Sequence, residues 1–133
     1  MSARAWLVAG FGCRRGCPVS ELQALLDQAL ALVGARTTDL RGIATFERRL
    51  VEPGLLALAE RLMLPLGGYS AAALAPFEPL LSHRSEASWR HTRCHGVAES
   101  AALAHCQALH SLPPRLRVTR QCSPQATVAL AST

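Results

Sequence analysis

The chain contains no lysine and few aromatic residues: its 14 basic residues are all arginine, and aromatic residues make up 5% of the total. Without a lysine, the chain cannot form the phosphate-binding loop of nucleoside triphosphatases, which requires one. The aromatic residues are too few for a base-stacking surface, and the arginines are scattered in ones and twos instead of forming a basic helix. We therefore expect no nucleic-acid partner.

Long apolar runs are also absent. No stretch approaches the roughly 18 continuous apolar residues that a membrane-spanning helix needs. Only about five apolar residues precede Gly10, which is too few for the core of a signal peptide. The five cysteines are an odd number, which is more typical of reduced thiols than of a disulfide framework. These features predict a cytoplasmic protein without a membrane partner.

The length and charge of the chain narrow its class further. With 133 residues, half of them hydrophobic, residues 1–133 are expected to form a single domain. The 14 arginines exceed the 9 acidic residues, and the planar guanidinium group suits bidentate contacts with carboxylate or phosphate. An acidic ligand is one explanation of this charge. A positive surface that serves only solubility is the other.

Apolar periodicity predicts alternating strands and helices. The predicted strands are Ala5–Ala9, Leu40–Thr45, Leu64–Leu66, Arg115–Arg120 and Thr127–Ala131, and the predicted helices are Ser20–Val33, Pro53–Met63, Ser70–Leu74 and Gly96–His110. Ser20 is the expected N-cap of the first helix, and Ser82–His95 is the least structured segment. We expect an α/β fold in three α/β/α layers. Its mixed, mainly parallel sheet of about five strands should end in an antiparallel hairpin.

The segment between the first strand and the first helix is the predicted ligand site. Glycines there free the backbone N–H groups, and two adjacent arginines add positive charge. The dinucleotide-binding fingerprint would need glycine where Arg15 stands, so a nucleotide is not favoured. The predicted ligand-binding residues are Gly10, Phe11, Gly12, Cys13, Arg14, Arg15 and Gly16.

Cys13 is the weak candidate for a catalytic residue. A nearby helix N-terminus and two arginines can lower the pKa of a thiol, which makes it a better nucleophile. However, no histidine lies close in the sequence to act as its base. A small buried residue at a tight turn is the favoured alternative.

The segment from His91 to His95, with Cys94 between, has a spacing that can hold a metal ion. The other cysteines do not provide the second ligand pair that a closed zinc site requires. We predict surface-loop residues, no metal site and no cofactor. Glu99, at the start of the last predicted helix, is explained by the favourable interaction of a negative charge with a helix N-terminus.

Several segments together resemble the CobE family of cobalamin biosynthesis, which is similar to the C-terminal domain of CbiG. In order and spacing they cover nearly the whole chain. These segments are Gly10–Gly16, Ile43–Thr45, Glu52–Leu55, Leu58–Ala59, Leu64–Leu66, Tyr69–Leu74, Gly96–Leu103 and Ala126–Ala129.

The resemblance implies a role in the oxygen-dependent route to the corrin ring, with a corrinoid or precorrin intermediate as ligand. Such tetrapyrroles carry acetate and propionate side chains, which Arg14 or Arg15 would bind. Phe11, Tyr69 and Trp89 are the candidates for an apolar wall against the ring. The expected function is therefore binding of a polycarboxylate tetrapyrrole.

Two alternatives remain open. In the first, the chain is a hydrolase or isomerase acting on a precorrin, with Cys13, Glu47, Glu86 or a histidine of the loop as acid or base. In the second, it is an interaction module for the methyltransferases of the pathway and uses its helix faces.

Overall fold

The computed structural model describes residues 6–133, which fold around one five-stranded sheet. Short 3-10 turns join several of the elements. The elements are β1 (Leu7–Cys13), α1 (Val19–Leu32), β2 (Leu40–Phe46), α2 (Pro53–Leu62), β3 (Leu66–Tyr69), α3 (Ala71–Leu74), α4 (Glu86–Thr92), α5 (Val97–His110), β4 (Arg115–Cys122) and β5 (Ala126–Ser132).

The strand order in the sheet is β3-β2-β1-β5-β4. β1 pairs in parallel with β2, and β2 pairs in parallel with β3. β5 is antiparallel to both of its neighbours, β1 and β4. Four of the five strands therefore run in one direction, and the sheet is mixed. The predicted fold class, including the final antiparallel hairpin, is confirmed.

Helices cover both faces of the sheet. On one face, α1 and α2 bury leucines such as Leu26 and Leu55 against β1 and its neighbours. On the other face, α3 and α5 bury Leu74 and Leu103 in a second cluster. In α1 and α2 the buried residues recur at helical spacing, so each of these helices packs one apolar side on the sheet. α5 differs, because every residue from Ala98 to Cys106 is buried. The three central strands, β2, β1 and β5, are consequently buried on both faces along most of their length.

The first strand is longer than predicted, because Gly10 and its neighbours belong to β1 and not to a loop. A Cβ atom at Gly10 would lie 2.0 Å from the carbonyl oxygen of Ala98 and 2.4 Å from the amide nitrogen of Ala102. Glycine is needed here because α5 packs directly on the strand. Ala5, the predicted first residue of the strand, lies outside the described residues.

Two other local predictions are wrong. α1 begins after Pro18 with no side-chain cap, so Ser20 is not the N-cap. β3 begins at Leu66 and continues through Gly67 and Gly68, which were expected to end it. A Cβ atom at Gly68 would lie 2.4 Å from a methyl carbon of Leu50, so this glycine makes room for packing.

The segment predicted to be least structured contains α4. Ser85 caps this helix by accepting a hydrogen bond of 3.1 Å from the N–H of Ser88. None of the residues of α4 is buried, which explains why the apolar pattern gave no helix signal there.

Candidate functional site

A cleft of about 880 Å³ opens at the carboxyl end of the parallel strands. It is lined by the residues that follow β1 and β2, by α4, by the start of α5 and by the turn between β4 and β5. β1 is also the topological switch point of the sheet. α1, which follows β1, packs on one face, and α5 packs on the other. Ligands of open α/β sheets bind in crevices of this kind.

Five arginines line the cleft and come from three different strand ends. Arg14 and Arg15 follow β1, Arg48 and Arg49 follow β2, and Arg120 lies near the end of β4. Among residues 6–133, none of these five has an acidic side chain as an ion-pair partner. The Nε atom of Arg120 is buried and has no hydrogen-bond partner. The cleft is therefore positively charged and has donors available for an anion.

The backbone N–H groups of the predicted anion loop are largely occupied by the protein itself. The N–H of Gly16 donates to Oε1 of Glu52 at 2.7 Å, and the N–H of Arg14 donates to the carbonyl oxygen of Gln125 at 2.8 Å. The N–H of Cys17 closes a turn on the carbonyl oxygen of Arg14. The positive charge at this loop therefore comes from arginine side chains and not from free backbone N–H groups.

The structure separates the seven predicted binding residues into two groups. Gly12, Cys13, Arg14 and Arg15 line the cleft, and Gly16, with φ of +80°, forms the turn beside it. Phe11 is completely buried, and Gly10 lies beneath α5. Neither of these two residues lines the cleft, because both belong to the interior of the sheet.

The surroundings of Cys13 do not favour the thiolate that a nucleophile requires. Burial, together with the nearby Cys17 and Glu52, raises the pKa of the Cys13 thiol to about 11, and Arg49 offsets only part of this effect. The expected lowering of its pKa is wrong because desolvation outweighs the positive charges. A thiol with this pKa remains protonated at neutral pH.

Glu99 is one of the residues whose importance sequence reasoning missed. It is 1% exposed, and its carboxylate accepts hydrogen bonds from the N–H of Arg120 and the N–H of Ser82, both at 2.8 Å, and from the hydroxyl of Ser82. It therefore joins α5, β4 and the segment before α4 at the side of the cleft. The signal was an acidic residue within a run of buried alanines, which a helix-terminus interaction alone does not explain.

The histidines of α4 and its flanks do not form a metal centre. His91 lines the cleft, while Nδ1 of His95 contacts the carboxylate of Glu78 and its ring stacks on Trp89 with 4.8 Å between ring centroids. No group of three or more His, Cys, Asp or Glu side chains within residues 6–133 is placed to hold a metal ion.

The aromatic residues predicted as an apolar wall lie elsewhere. Tyr69 is on β3, where its hydroxyl forms a 2.6 Å hydrogen bond with Nδ1 of His105, and Trp89 is not among the residues that line the cleft. The apolar residues that line the cleft instead include Phe46, whose ring lies beneath Arg48, and Val97. In the part of the chain that the structure covers, no helix has the length and apolar content to cross a membrane.

Comparison with known proteins decides the family. A family model described as "Cobalamin synthesis G C-terminus" matches residues 7–131. The chain belongs to this family. It is 44% identical over 101 residues to protein CobE of Sinorhizobium sp., a match that spans 76% of this chain and 66% of that protein.

Solved structures and a longer relative agree with this assignment. A crystal structure of CobE, described as a protein of the cobalamin (vitamin B12) biosynthetic pathway, is 35% identical and superposes with a TM-score of 0.93, covering all of this chain and 94% of that one. The cobalamin biosynthesis protein chiG of Agrobacterium tumefaciens is 31% identical, with a TM-score of 0.71 and coverages of 96% and 98%. A cobalt-precorrin-5A hydrolase of Priestia megaterium is 26% identical over 94% of this chain, which corresponds to 32% of the hydrolase. The chain is a cobalamin biosynthesis protein of the CobE and CbiG C-terminal type.

Proposed function

We propose that the chain binds a polycarboxylate tetrapyrrole intermediate of corrin synthesis in the arginine-lined cleft. The observation that carries the proposal is the convergence of five arginines on one cleft at the strand ends, none of them with an acidic ion-pair partner in the described part of the chain. Exposed arginines that serve only solubility would be scattered over the surface and not gathered around one concavity.

Carboxylates are favoured over phosphates as the groups recognised. The family works in cobalamin synthesis, whose intermediates carry acetate and propionate side chains around a macrocycle. Guanidinium groups from three strand ends suit several carboxylates spread along the edge of one ligand. The aromatic ring of Phe46 and the side chain of Val97 supply apolar surface between the charges, against which part of a ring system would pack.

Binding without catalysis is favoured over the hydrolase or isomerase alternative. Cys13 is protonated, and the carboxylate of Glu99 is fully engaged with its three donors. Glu47 is exposed on the surface, and the side chain of Glu86 is 76% exposed. None of these groups combines a base with a positioned nucleophile. We place the protein in the cytoplasm, where it would pass its ligand to pathway enzymes such as the methyltransferases.

The test is a spectroscopic titration with uroporphyrin, in which every pyrrole carries an acetate and a propionate. We expect a saturable shift of the Soret band and an affinity that falls as salt is added. Protoporphyrin, which has fewer carboxylates, should bind more weakly. Equal affinity for the two porphyrins would contradict the proposal, as would the absence of saturation.

A second assay separates binding from catalysis. The purified chain would be incubated with precorrin intermediates, and the products examined by mass spectrometry. Unchanged intermediates that remain bound agree with the proposal. Turnover by the chain alone would favour the enzyme instead.

A further inference from the structure

The segment that carries α4 leaves the body of the protein and returns to it at one narrow point. The N–H of Ser85 donates to the carbonyl oxygen of His95 at 2.8 Å, and a Cβ atom at Gly96 would lie 3.4 Å from the carbonyl oxygen of His83. Residues 83–95, here called the α4 flap, therefore form a loop whose ends meet, as in an Ω-loop.

The α4 flap is held together by its own hydrogen bonds. The hydroxyl of Ser88 donates to the carbonyl oxygen of Cys94 at 2.7 Å, and the N–H of Cys94 donates to the hydroxyl oxygen of Thr92 at 3.1 Å. The ring of Trp89 stacks on that of His95, and the guanidinium of Arg93 lies 5.8 Å from the centre of the Trp89 ring. These contacts favour movement of the flap as one unit.

The attachment of the flap to the body is mostly polar. Glu78, in the 3-10 turn that precedes the flap, contacts Nδ1 of His95 through its carboxylate, and its carbonyl oxygen accepts a 3.0 Å hydrogen bond from Arg84. α4 has no buried residue, and Cys94 at the base of the flap is 2% exposed. A segment with few buried apolar contacts belongs to the least stable part of a fold.

The flap also forms one side of the arginine-lined cleft. Ser88, His91 and Thr92 line the cleft from the flap and face the arginines at the ends of β1 and β2. From these observations we propose that the α4 flap is a lid on this cleft, which opens as a unit to admit or release the ligand. The contact between Glu78 and His95, here called the latch, holds it closed.

The role of the lid in ligand exchange rests on the proposed function, but its opening is a property of the unliganded protein. Hydrogen–deuterium exchange of the unliganded chain tests the opening, using Glu78→Gln, a residue that does not line the cleft. We expect amides of α4 to exchange about ten-fold faster in this variant, while those of α5 are unchanged. Glu60→Gln removes an exposed carboxylate on α2 and should change neither helix.

Because glutamine at position 78 can retain a hydrogen bond to His95, a second variant is needed. His95→Ala removes both the latch and the stacking on Trp89, and should accelerate exchange in α4 at least as much. Unchanged exchange in α4 in both variants would overturn the proposal. Equal acceleration in α4 and α5 would also overturn it, because that pattern indicates general destabilisation.

Uroporphyrin then tests the link between the flap and the cleft. Bound uroporphyrin should slow exchange in α4, and Glu78→Gln should raise its association and dissociation rates together by about three-fold or more. Saturable binding that leaves exchange in α4 unchanged would overturn the lid while the proposed function stands. If uroporphyrin does not bind, the proposed function and the lid's role in ligand exchange both fail, and the unliganded experiment still decides whether the flap opens.

Discussion

The two sides of the cleft are built differently. The side formed by the ends of β1 and β2 rests on strands that are buried on both faces, so its arginines are carried by the most rigid part of the fold. The opposite side, the α4 flap, has polar attachments and no buried residue in its helix. Under the two proposals above, the strand ends would recognise the ligand and the flap would control access to it.

The largest expected effect comes from removing charge on the rigid side. Arg48→Gln combined with Arg49→Gln should weaken uroporphyrin binding by about 4 kcal/mol, a factor of about 1,000 in Kd, since two charge-assisted contacts are lost. The matched change on the flap, Arg90→Gln with Arg93→Gln, removes the same charge outside the cleft lining and should cost less than about ten-fold. Titrations of the two double variants at the same salt concentration make the comparison. Similar losses in both would show that only net charge matters.

The junction between the two sides should matter more for stability than the latch does. Glu99→Ala leaves the N–H groups of Ser82 and Arg120 without their acceptor and opens a buried space, so the free energy of unfolding should fall by about 3 kcal/mol. Glu78→Ala removes partly exposed contacts and should cost less than about 1 kcal/mol. Denaturant unfolding measures both variants. Equal losses of unfolding free energy in the two variants would contradict the distinction between the Glu99 junction and the latch.

The reactivity of the Cys13 thiol tests the side of the cleft that the strand ends form. With a pKa of about 11 instead of 9.0, Cys13 has about 100-fold less thiolate near neutral pH than an ordinary thiol. A thiolate of higher pKa is intrinsically more nucleophilic, so iodoacetamide should modify Cys13 at least about ten-fold more slowly. Cys122 lines the same cleft and is exposed, which makes it the internal reference. Mass spectrometry of time-resolved alkylation resolves the two sites. Cys13 reacting as fast as Cys122 would restore it as a candidate nucleophile.

The smallest predicted effect concerns His105, which is buried in the interior of the protein. Burial lowers the pKa of His105, so below its ordinary pKa of about 6.5 the unfolded chain binds a proton that the folded chain does not. Stability should therefore fall as the pH drops from about 6.5 towards 5, by up to about 1.4 kcal/mol per pH unit. His105→Asn should flatten this dependence. A His105→Asn variant with the wild-type pH profile would contradict this explanation.

The parts of the fold that were predicted from sequence are those with a strong apolar period. Leu22, Leu26 and Leu30 mark α1. Leu116 and Val118 alternate with polar residues in the first strand of the final hairpin, which is followed by a turn at Ser123 and Pro124. α4 was not predicted because a helix without buried residues has no apolar stripe. β3 was shifted because its two glycines resemble a turn, although they make room for His105 and Leu50.

The site was predicted in part for similar reasons. Arg14 and Arg15 were found because they follow the first strand directly. Arg48, Arg49 and Arg120 were missed because only the pairing of β2, β1, β5 and β4 brings them to the same cleft. Burial, which the sequence does not show, made Phe11 a core residue and raised the pKa of Cys13.

The most direct test of the central claim is a crystal structure of the chain with uroporphyrin. The predicted result places the macrocycle in the cleft, with its carboxylates in hydrogen-bond contact with arginines from at least two of the three strand ends. A macrocycle bound elsewhere, for example in the groove of about 760 Å³ that Tyr69, Phe77 and Leu112 line, would contradict it.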